Sequence, residues 1–440
     1  MIDIKALKSR FIDLAIRGKL VPQLDEEPSV EQIGEVPAEV PFEIPEKWKW
    51  QTLSDVGYFI SGWTPKSDSL SSSGGIPYFK VSDMNEVGNE LYLLHTNSFL
   101  VSGAKGRVFE KHTIVYPKNG GAVFTNKRRF LAERSVVDLN TGGYVADSCL
   151  DHNYAFDFLL NIDFKKICKG SALPTIDQQK LRNYLIPIPP ISEQRRIVIR
   201  LNEIFALLDK AEDCYLRVQD LGKSLKNKFL QMAIEGKLVP QIDEEPSVEQ
   251  IRDIPAEPPF EIPEKWKWVE LSAVGNVVGG GTPSTSVLDY WDGTIPWLTP
   301  ADMGKFTSKY VEKCSKFITQ KGLDHSSAKL MPKGTVIHSS RAPIGYVAIA
   351  KDSICTNQGC KSLVPNTEFV ISEYIYFCLI NRTEDIKFRA SGTTFKEISG
   401  RNFGETLIPL PPISEQRRIV ARLNELFALV DKMTGVEERE

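Results

Sequence analysis

No run in this chain of 440 residues is long and apolar enough to cross a bilayer. The N-terminal MIDIKALKSR reads as the start of an amphipathic helix, not as a cleaved leader. Cysteine is sparse: seven residues, odd in number and scattered, with no CxxC pair. That pattern points to reduced thiols in a cytosol and argues against a zinc site. Five histidines add no metal cluster, and there is no P-loop of the GxxxxGK[ST] form. Gly279-Gly280-Gly281 lacks the following lysine and reads as a turn. Asp83 and Asp302 stand at equivalent places without acid–base partners and read as turn caps. The net charge is −3, so no overall positive excess signals nucleic acid. The segments Trp48–Pro187 and Trp266–Pro409 are mildly basic, and the remainder is acidic. Ordinary charge scatter and an anionic partner both account for that split.

Proline is absent from Ile191 to Leu238. Apolar or small residues recur there at Ile197, Leu201, Ile204, Leu208, Ala211, Tyr215, Val218, Gly222, Leu225, Phe229 and Met232. Steps alternating four and three form a coiled-coil seam. Ser192 is placed to cap the start, and Gly236 and Pro240 to end it. A helix from Ile191 to Glu235 would be about 67 Å long at ~1.5 Å per residue, and its seam needs a partner.

That partner lies in the same chain, cut in two. Ile408–Lys432 repeats Ile186–Lys210 with 21 of 25 residues identical, and Ile16–Gly57 repeats Ile234–Gly275 with 33 of 42 identical. The offsets, 222 and 218, sum to the chain length of 440. The sequence therefore reads as two similar halves on a circle, opened inside the second copy of the helix. Its seam runs through Ile419, Leu423, Leu426, Val430 and Met433 and resumes at Ile4, Leu7, Phe11 and Leu14. Met1 and Glu440 are expected to be neighbours.

Residues 18 to 47 and their copy at 236 to 265 are rich in proline and acid and read as linkers, with room for a short helix only at Ser29–Ile33. Each runs into a WKW motif, Trp48-Lys49-Trp50 and Trp266-Lys267-Trp268, whose alternation predicts a strand with one buried face; core packing is favoured over base stacking. The segments that follow differ in sequence but share a skeleton. Gly62, Thr64, Pro65 and Ile76-Pro77-Tyr78 with Asp83-Met84 match Gly280, Thr282, Pro283 and Ile295-Pro296-Trp297 with Asp302-Met303. Strand-like runs at Thr113–Tyr116, Ser135–Leu139, Thr335–His338 and Tyr346–Ala350, and helical runs at Asn153–Leu160 and Ser372–Asn381, make each an α+β domain.

This layout resembles the specificity subunit of a type I restriction–modification enzyme. The resemblance rests on the duplicated LPPISEQRRIV and GKLVPQ segments. It rests also on the GTPS…YWDGTIPWLTPADM and GTVIHSSRAPIGYVAIA…TNQG strings of the second domain. The first domain departs from that pattern at Pro117-Lys118-Asn119-Gly120-Gly121 and Thr125–Phe130, which look like another subgroup. The resemblance implies an α+β fold with two globular target recognition domains in pseudo-twofold symmetry, separated by a long antiparallel helical pair, a coiled coil. The expected division is 1–47 as half of a split helical region plus linker and 48–187 as the first recognition domain. A central helix and linker follow over 188–265, the second recognition domain over 266–409, and a C-terminal helix over 410–440. The chain itself is expected to be non-catalytic. It would read a bipartite double-stranded DNA target and dock two modification (methyltransferase) subunits and restriction (translocase/nuclease) subunits in a prokaryotic cytoplasm, with no membrane. No cofactor is expected in this chain; S-adenosylmethionine, ATP and Mg²⁺ belong to the partner subunits. No Asn-Pro-Pro-aromatic motif or Gly-rich cofactor loop of a self-contained adenine methyltransferase is present. A related two-part restriction–methylation system and a coiled-coil scaffold that does not bind DNA remain as alternatives.

DNA contacts require Lys or Arg for phosphates and Arg, Lys, Asn or Gln for paired hydrogen bonds to base edges. The candidates are Lys66, Lys80, Asn126, Lys127, Arg128 and Arg129 in the first domain, and Ser284, Thr299, Arg341, Asn357, Gln358 and Lys396 in the second. A solvated loop is the competing reading for the Lys127–Arg129 run. Satisfaction of buried carbonyls competes for Arg341 and Asn357. The helix between Asp209 and Lys226 is expected to set the distance between the half-sites.

Overall fold

In the computed structural model, residues 3–35, 39–104, 106–170, 173–252, 258–341, 343–392 and 396–435 are described. Met1 and Glu440, whose adjacency the repeat arithmetic predicts, lie outside them. The chain divides into two compact units, Met1–Cys214 and Tyr215–Glu440. The 44-residue helix Ile191–Ile234 contributes its first half to one and its second half to the other. No described helix is long and apolar enough to cross a membrane.

Both units begin from the WKW alternation. Lys49–Thr52 pairs antiparallel with Leu185–Ile188, and Lys267–Glu270 with Leu407–Leu410. Trp48 and Trp50, like Trp266 and Trp268, are buried, while the lysine between them is half-exposed. The main sheet of the first unit has the order Gly57–Ser61, Thr141–Ala146, Ile114–Pro117, Arg129–Leu131, Tyr92–Leu93. In the second unit the order is Gly275–Gly279, Cys360–Pro365, Val336–Ser339, Val347–Ile349. A parallel pair flanks each: Ile76–Phe79 with Val136–Val137, and Trp291–Leu298 with Cys355–Thr356. The helices His152–Asn161 and Ser372–Asn381 pack in the two main cores. Tyr154 and Tyr374 donate from their hydroxyls to the carbonyls of Pro187 and Pro409 at 2.9 and 2.8 Å.

The proline-rich stretches are fastened to these cores rather than free. Lys47 donates to the carbonyls of Leu24, Asp25 and Glu27, and Lys265 to those of Ile242, Asp243 and Glu245, all at 2.7–2.8 Å. Ser29–Ile33 forms no helix. The Val30 N–H is taken by the Lys47 carbonyl and the Ile33 N–H by the Gln51 side chain, so these donors serve tertiary contacts rather than a helical turn. Gly18 and Gly236 end helices at φ +67° and +72°, where any Cβ would also meet the rings of Pro45 and Pro263.

The long helix begins at Ile191, so Ser192 lies inside its first turn and does not cap it. The next two side chains turn inward: Glu193 and Gln194 are 1% and 0% exposed. Gln194 accepts from the Asp151 N–H and donates to the carbonyls of Cys149 and Pro189. Gln416 repeats this with Ile371, Phe369 and Pro411.

In the first unit the helix Ile4–Ile16 runs antiparallel to the long helix. Ile197 and Leu201 are buried with Ile12, Ala15 and Ile16; Ile204 and Leu208 are half-buried; Lys8 pairs with Asp209 at 2.5 Å. In the second unit the partner is Ile413–Thr434, with Ile419, Leu423 and Val430 buried and Leu426 half-buried. Here the apolar spacing misleads. Val218 and Leu225 are 42% and 38% exposed. The inward places one residue on are polar: Gln219 donates to the Thr434 carbonyl at 2.5 Å, and Lys226 to both oxygens of Asp431 at 2.6 Å. A search for apolar side chains passes over such positions, although long polar side chains fill a seam when their heads are paired.

Candidate nucleic-acid interface

Each unit carries a rim built on the same hydrogen-bonded frame. In the first unit, Gly62 N donates to Thr141 O, Trp63 N to Val137 O, Lys118 N to Asn140 O and Ile176 N to Lys118 O, at 2.8–3.0 Å. In the second, the corresponding donations are Gly280 N to Cys360 O, Gly281 N to Thr356 O, Ser340 N to Gly359 O and Ile398 N to Ser340 O, at 2.8–3.2 Å. Glycine is required at the first position. A Cβ on Gly62 would stand 2.0 Å from the Asp138 carbonyl oxygen, and one on Gly280 1.8 Å from that of Asn357. The bridges Asn119–Thr175 and Arg341–Glu397 close the two frames. The backbones thus match residue for residue while the side chains on them differ.

The first-unit candidates do not gather on this rim. Lys66 and Lys80 are exposed, each at the start of a 3₁₀ turn. Lys80 and Asp83 form a capping arrangement, the Lys80 N–H donating to the Asp83 carboxylate at 2.8 Å. Lys80 borders a polar groove of about 460 Å³ with Ser82, Glu86, His95 and Asn97. Asn126 takes a left-handed conformation and donates to the Leu160 carbonyl. Lys127 is half-buried and bonded to the Asn85 side chain.

Arg128 does not lie in a solvated loop. It is 0% exposed, donates to Asn126 Oδ1 and to the carbonyls of Lys127 and Ile162, and stacks 3.4 Å above the Phe164 ring. Burial pulls its guanidinium below the usual arginine range, against the fields of Tyr116 and Asp163. Arg129 is half-buried and bonded to the carbonyls of Arg128 and Met84. A guanidinium's five donors suit such a gathering of carbonyls, and a charged run gives no local sign of it.

The second-unit candidates are closer together. Arg341 lies across the frame from Glu397, and Lys396 is exposed beside it. Gln358 is exposed and accepts from the Thr282 hydroxyl. Asn357 folds back to accept from the Gly359 N–H at 3.0 Å. Ser284 is exposed in the adjoining loop, where its carbonyl accepts from the Trp291 indole. Thr299 caps the helix Pro300–Met303 and donates to Asp302 at 2.9 Å.

Four rim residues escape the sequence reading: Lys118, Asp138, Lys361 and Glu397. Lys118 is half-buried at the end of a central strand, and burial lowers its amine below the usual lysine value while Asp138 opposes that shift. The Asp138 carboxyl is raised by burial, opposed by hydrogen bonds from Thr141 and Asn140. Lys361 is 12% exposed and bonded to Glu397 at 3.1 Å, to the Gln358 carbonyl at 3.3 Å and to Ser340 Oγ at 3.4 Å. Only the frame equivalence, invisible in one dimension, singles them out. Among the described residues no group of His, Cys, Asp and Glu is placed to hold a metal.

The family model described as the type I restriction modification DNA specificity domain matches twice, over residues 45–213 and 263–439. This chain belongs to that family. The specificity-domain chain is 40% identical over 172 residues to the type I restriction enzyme MjaIX specificity subunit of Methanocaldococcus jannaschii, covering 39% of this chain and 40% of that protein. It is 33% identical over 181 residues to the EcoR124I/EcoR124II specificity subunit of Escherichia coli, covering 40% of this chain and 44% of that one. These two alignments thus span about two-fifths of the relatives' length. The EcoAI specificity subunit of Escherichia coli aligns over 98% of this chain and 90% of its own, at 23% identity. In fold, the chain is similar to the HsdS subunit from Thermoanaerobacter tengcongensis, with TM-score 0.58, 20% identity, and 92% and 95% of the two chains covered. A chain solved in work on complex assembly and conformational transition of the type I R-M system gives TM-score 0.65 at 21% identity, covering 90% and 94%.

Proposed function

We propose that this chain is the DNA-reading, non-catalytic subunit of a type I restriction–modification enzyme, with residues 48–187 and 266–409 each recognising one half of a bipartite double-stranded target. The observation that carries this reading is the pair of rims: one hydrogen-bonded frame used twice, with different side chains mounted on it. Two readers of one design with different side chains suit two different half-sites. The repeated helix and linker segments are near-identical in the two units, which suits two copies of one modification subunit. Leu207 and Leu429, equivalent in the near-identical repeats, are 65% and 51% exposed. They offer the same apolar contact twice. Restriction subunits, with their ATP and Mg²⁺, complete the assembly, and S-adenosylmethionine belongs to the modification subunits. The place of action is the prokaryotic cytoplasm, where the DNA is.

The continuous helix between Asp209 and Lys226 acts as the ruler for the spacer. Four added residues lengthen it by about 6 Å, close to two base-pair steps, at ~1.5 Å per residue and ~3.4 Å per step.

The test is reconstitution of the chain with its modification subunit, followed by binding to duplex DNA across a salt series. Binding that falls steeply with salt and prefers an interrupted sequence supports the proposal. A stable complex that ignores DNA supports the scaffold reading instead.

A further inference from the structure

The two frames put Lys118 and Ser340 at the same place: each amide donates across the rim and each carbonyl receives the next strand, from Ile176 and Ile398. At that place the first unit has a long cationic side chain and the second a short hydroxyl. The second unit nevertheless has an ammonium there, brought from the neighbouring strand, since Lys361 Nζ lies 3.4 Å from Ser340 Oγ. The first unit cannot supply a cation from that strand. The residue equivalent to Lys361 is Gly142, and a Cβ there would stand 2.7 Å from the Tyr116 ring.

The two ammonium groups differ in what they have left to offer. A lysine has three donors. Lys361 engages all three with protein: the Glu397 carboxylate, the Gln358 carbonyl and Ser340 Oγ. The Lys118 ammonium makes no hydrogen bond or ion pair among the described residues, and the place of Glu397 is taken in its unit by Thr175. Exposure follows the same division: Glu397 is 38% exposed and its lysine only 12%. The first rim therefore presents an unengaged donor. The second presents an acceptor carboxylate bonded to a mostly covered cation.

We infer that the two rims read base edges of opposite hydrogen-bonding character. Lys118 donates to an acceptor edge such as guanine O6 and N7, and Glu397 accepts from an exocyclic amine, cytosine N4 or adenine N6. This rests on the function proposed above. In the major groove these edges are what separates one base pair from another, and lysine to guanine and glutamate to cytosine are geometrically favoured pairings. A half-buried amine with no hydrogen-bonding partner among the described residues gains most from such an acceptor. The alternative acceptor for Lys118 is a backbone phosphate, which carries no sequence information.

The experiment uses the full chain assembled with its modification subunits, as wild type, K118M, K118R, E397A and E397Q. Each complex is titrated with duplexes carrying one base-pair change at a time, at two salt concentrations, and its methylated motif is mapped. K118M is expected to relax one G·C position in one half-site by roughly tenfold or more, and K118R to keep the preference for an acceptor edge. E397A is expected to relax one position in the other half-site, and E397Q, which retains an acceptor and gains a donor, to shift the preference there toward adenine. If K118M weakens all duplexes alike and makes the salt dependence shallower by about one ion, the lysine holds phosphate and the inference fails for that rim. If all four variants melt as wild type and keep both half-sites unchanged, the inference fails for both rims while the bipartite reading stands. A wild-type complex with no interrupted motif refutes the function itself.

Discussion

The indole of Trp48 donates to the carboxylate of Glu193 at 2.9 Å in a buried contact, and Trp266 does the same to Glu415 at the same distance. Gln23 and Gln241 complete the arrangement at 2.5 and 2.6 Å, and Arg196 and Arg418 reach the adjoining Glu27 and Glu245. The two kinds of repeated segment, far apart in sequence, are therefore two sides of one contact. The WKW strand and its proline-rich approach are locked to the first turn of the long helix in the first unit and of the helix Ile413–Thr434 in the second.

Removing the indole donor leaves that buried carboxylate short of a partner. Trp48→Phe should destabilise the first unit by about 1–3 kcal/mol, the usual cost of an unsatisfied buried polar group, and Trp266→Phe should do the same to the second. Denaturant unfolding of the two variants measures both. Wild-type midpoints in either would show that the indole bond contributes nothing.

Arg128 is a charged residue whose hydrogen bonds hold the fold. Arg128→Met removes three donations to oxygen atoms and leaves the carbonyl of Ile162 without this partner. A loss of about 2–4 kcal/mol is expected, typical of breaking a buried polar network, with the half-sites of the surviving complex unaltered. A stable variant with a changed half-site would place this residue on the DNA after all.

The same comparison shows what the linear sequence could reveal. The WKW strand was legible because alternation is local: burial of every second residue is written in adjacent letters. The two α+β units, the long proline-free helix and the inward apolar residues Ile197, Leu201, Ile419 and Leu423 were legible for the same reason. Gln219 and Lys226 were not, because what makes a polar residue suitable inside a seam is a partner on another helix, here Thr434 and Asp431. The burial of Arg128 was not legible for the same cause, its partner Ile162 lying 34 positions away. The rim residues Lys118, Lys361 and Glu397 acquire meaning only when the strands are aligned. Lys127 and Arg129 stood out as charges and proved to be bonded to Asn85 and Met84.

Asp157 gives a pH-dependent signature confined to the first unit. Burial pushes its carboxyl up to about 7, with the charge of Asp151 adding to the rise. The equivalent residue in the second unit, counted from Tyr154 and Tyr374, is Phe377. A raised carboxyl value means that the protonated form is the one the fold accepts. Its contribution is complete below the ordinary aspartate range and is lost as pH rises through about 7. Wild type should therefore lose stability from pH 5 to pH 8 relative to Asp157→Asn, by an amount on the order of a few kcal/mol. Parallel melting temperatures for the two proteins across that range would contradict the assignment.

Gly222 tests the close approach of the helices in the second unit. A Cβ there would stand 2.5 Å from Thr434 Cγ2. Helix propensity alone favours alanine over glycine by ~1 kcal/mol, yet Gly222→Ala should destabilise. Adding Thr434→Ser, which removes the clashing methyl and keeps a hydroxyl for the Val430 carbonyl, should restore the gain. Thermal melting of the single and double variants settles which effect wins; a stabilised single variant would show that the helices have room to separate.

The most direct test of the account is the map of methylated adenines in DNA from cells that make this chain together with its modification subunit. Two rims built on one frame but carrying different side chains predict an interrupted motif: two short, different, defined segments separated by a fixed gap of unspecified bases. A single uninterrupted motif, or methylation indifferent to sequence, would contradict it.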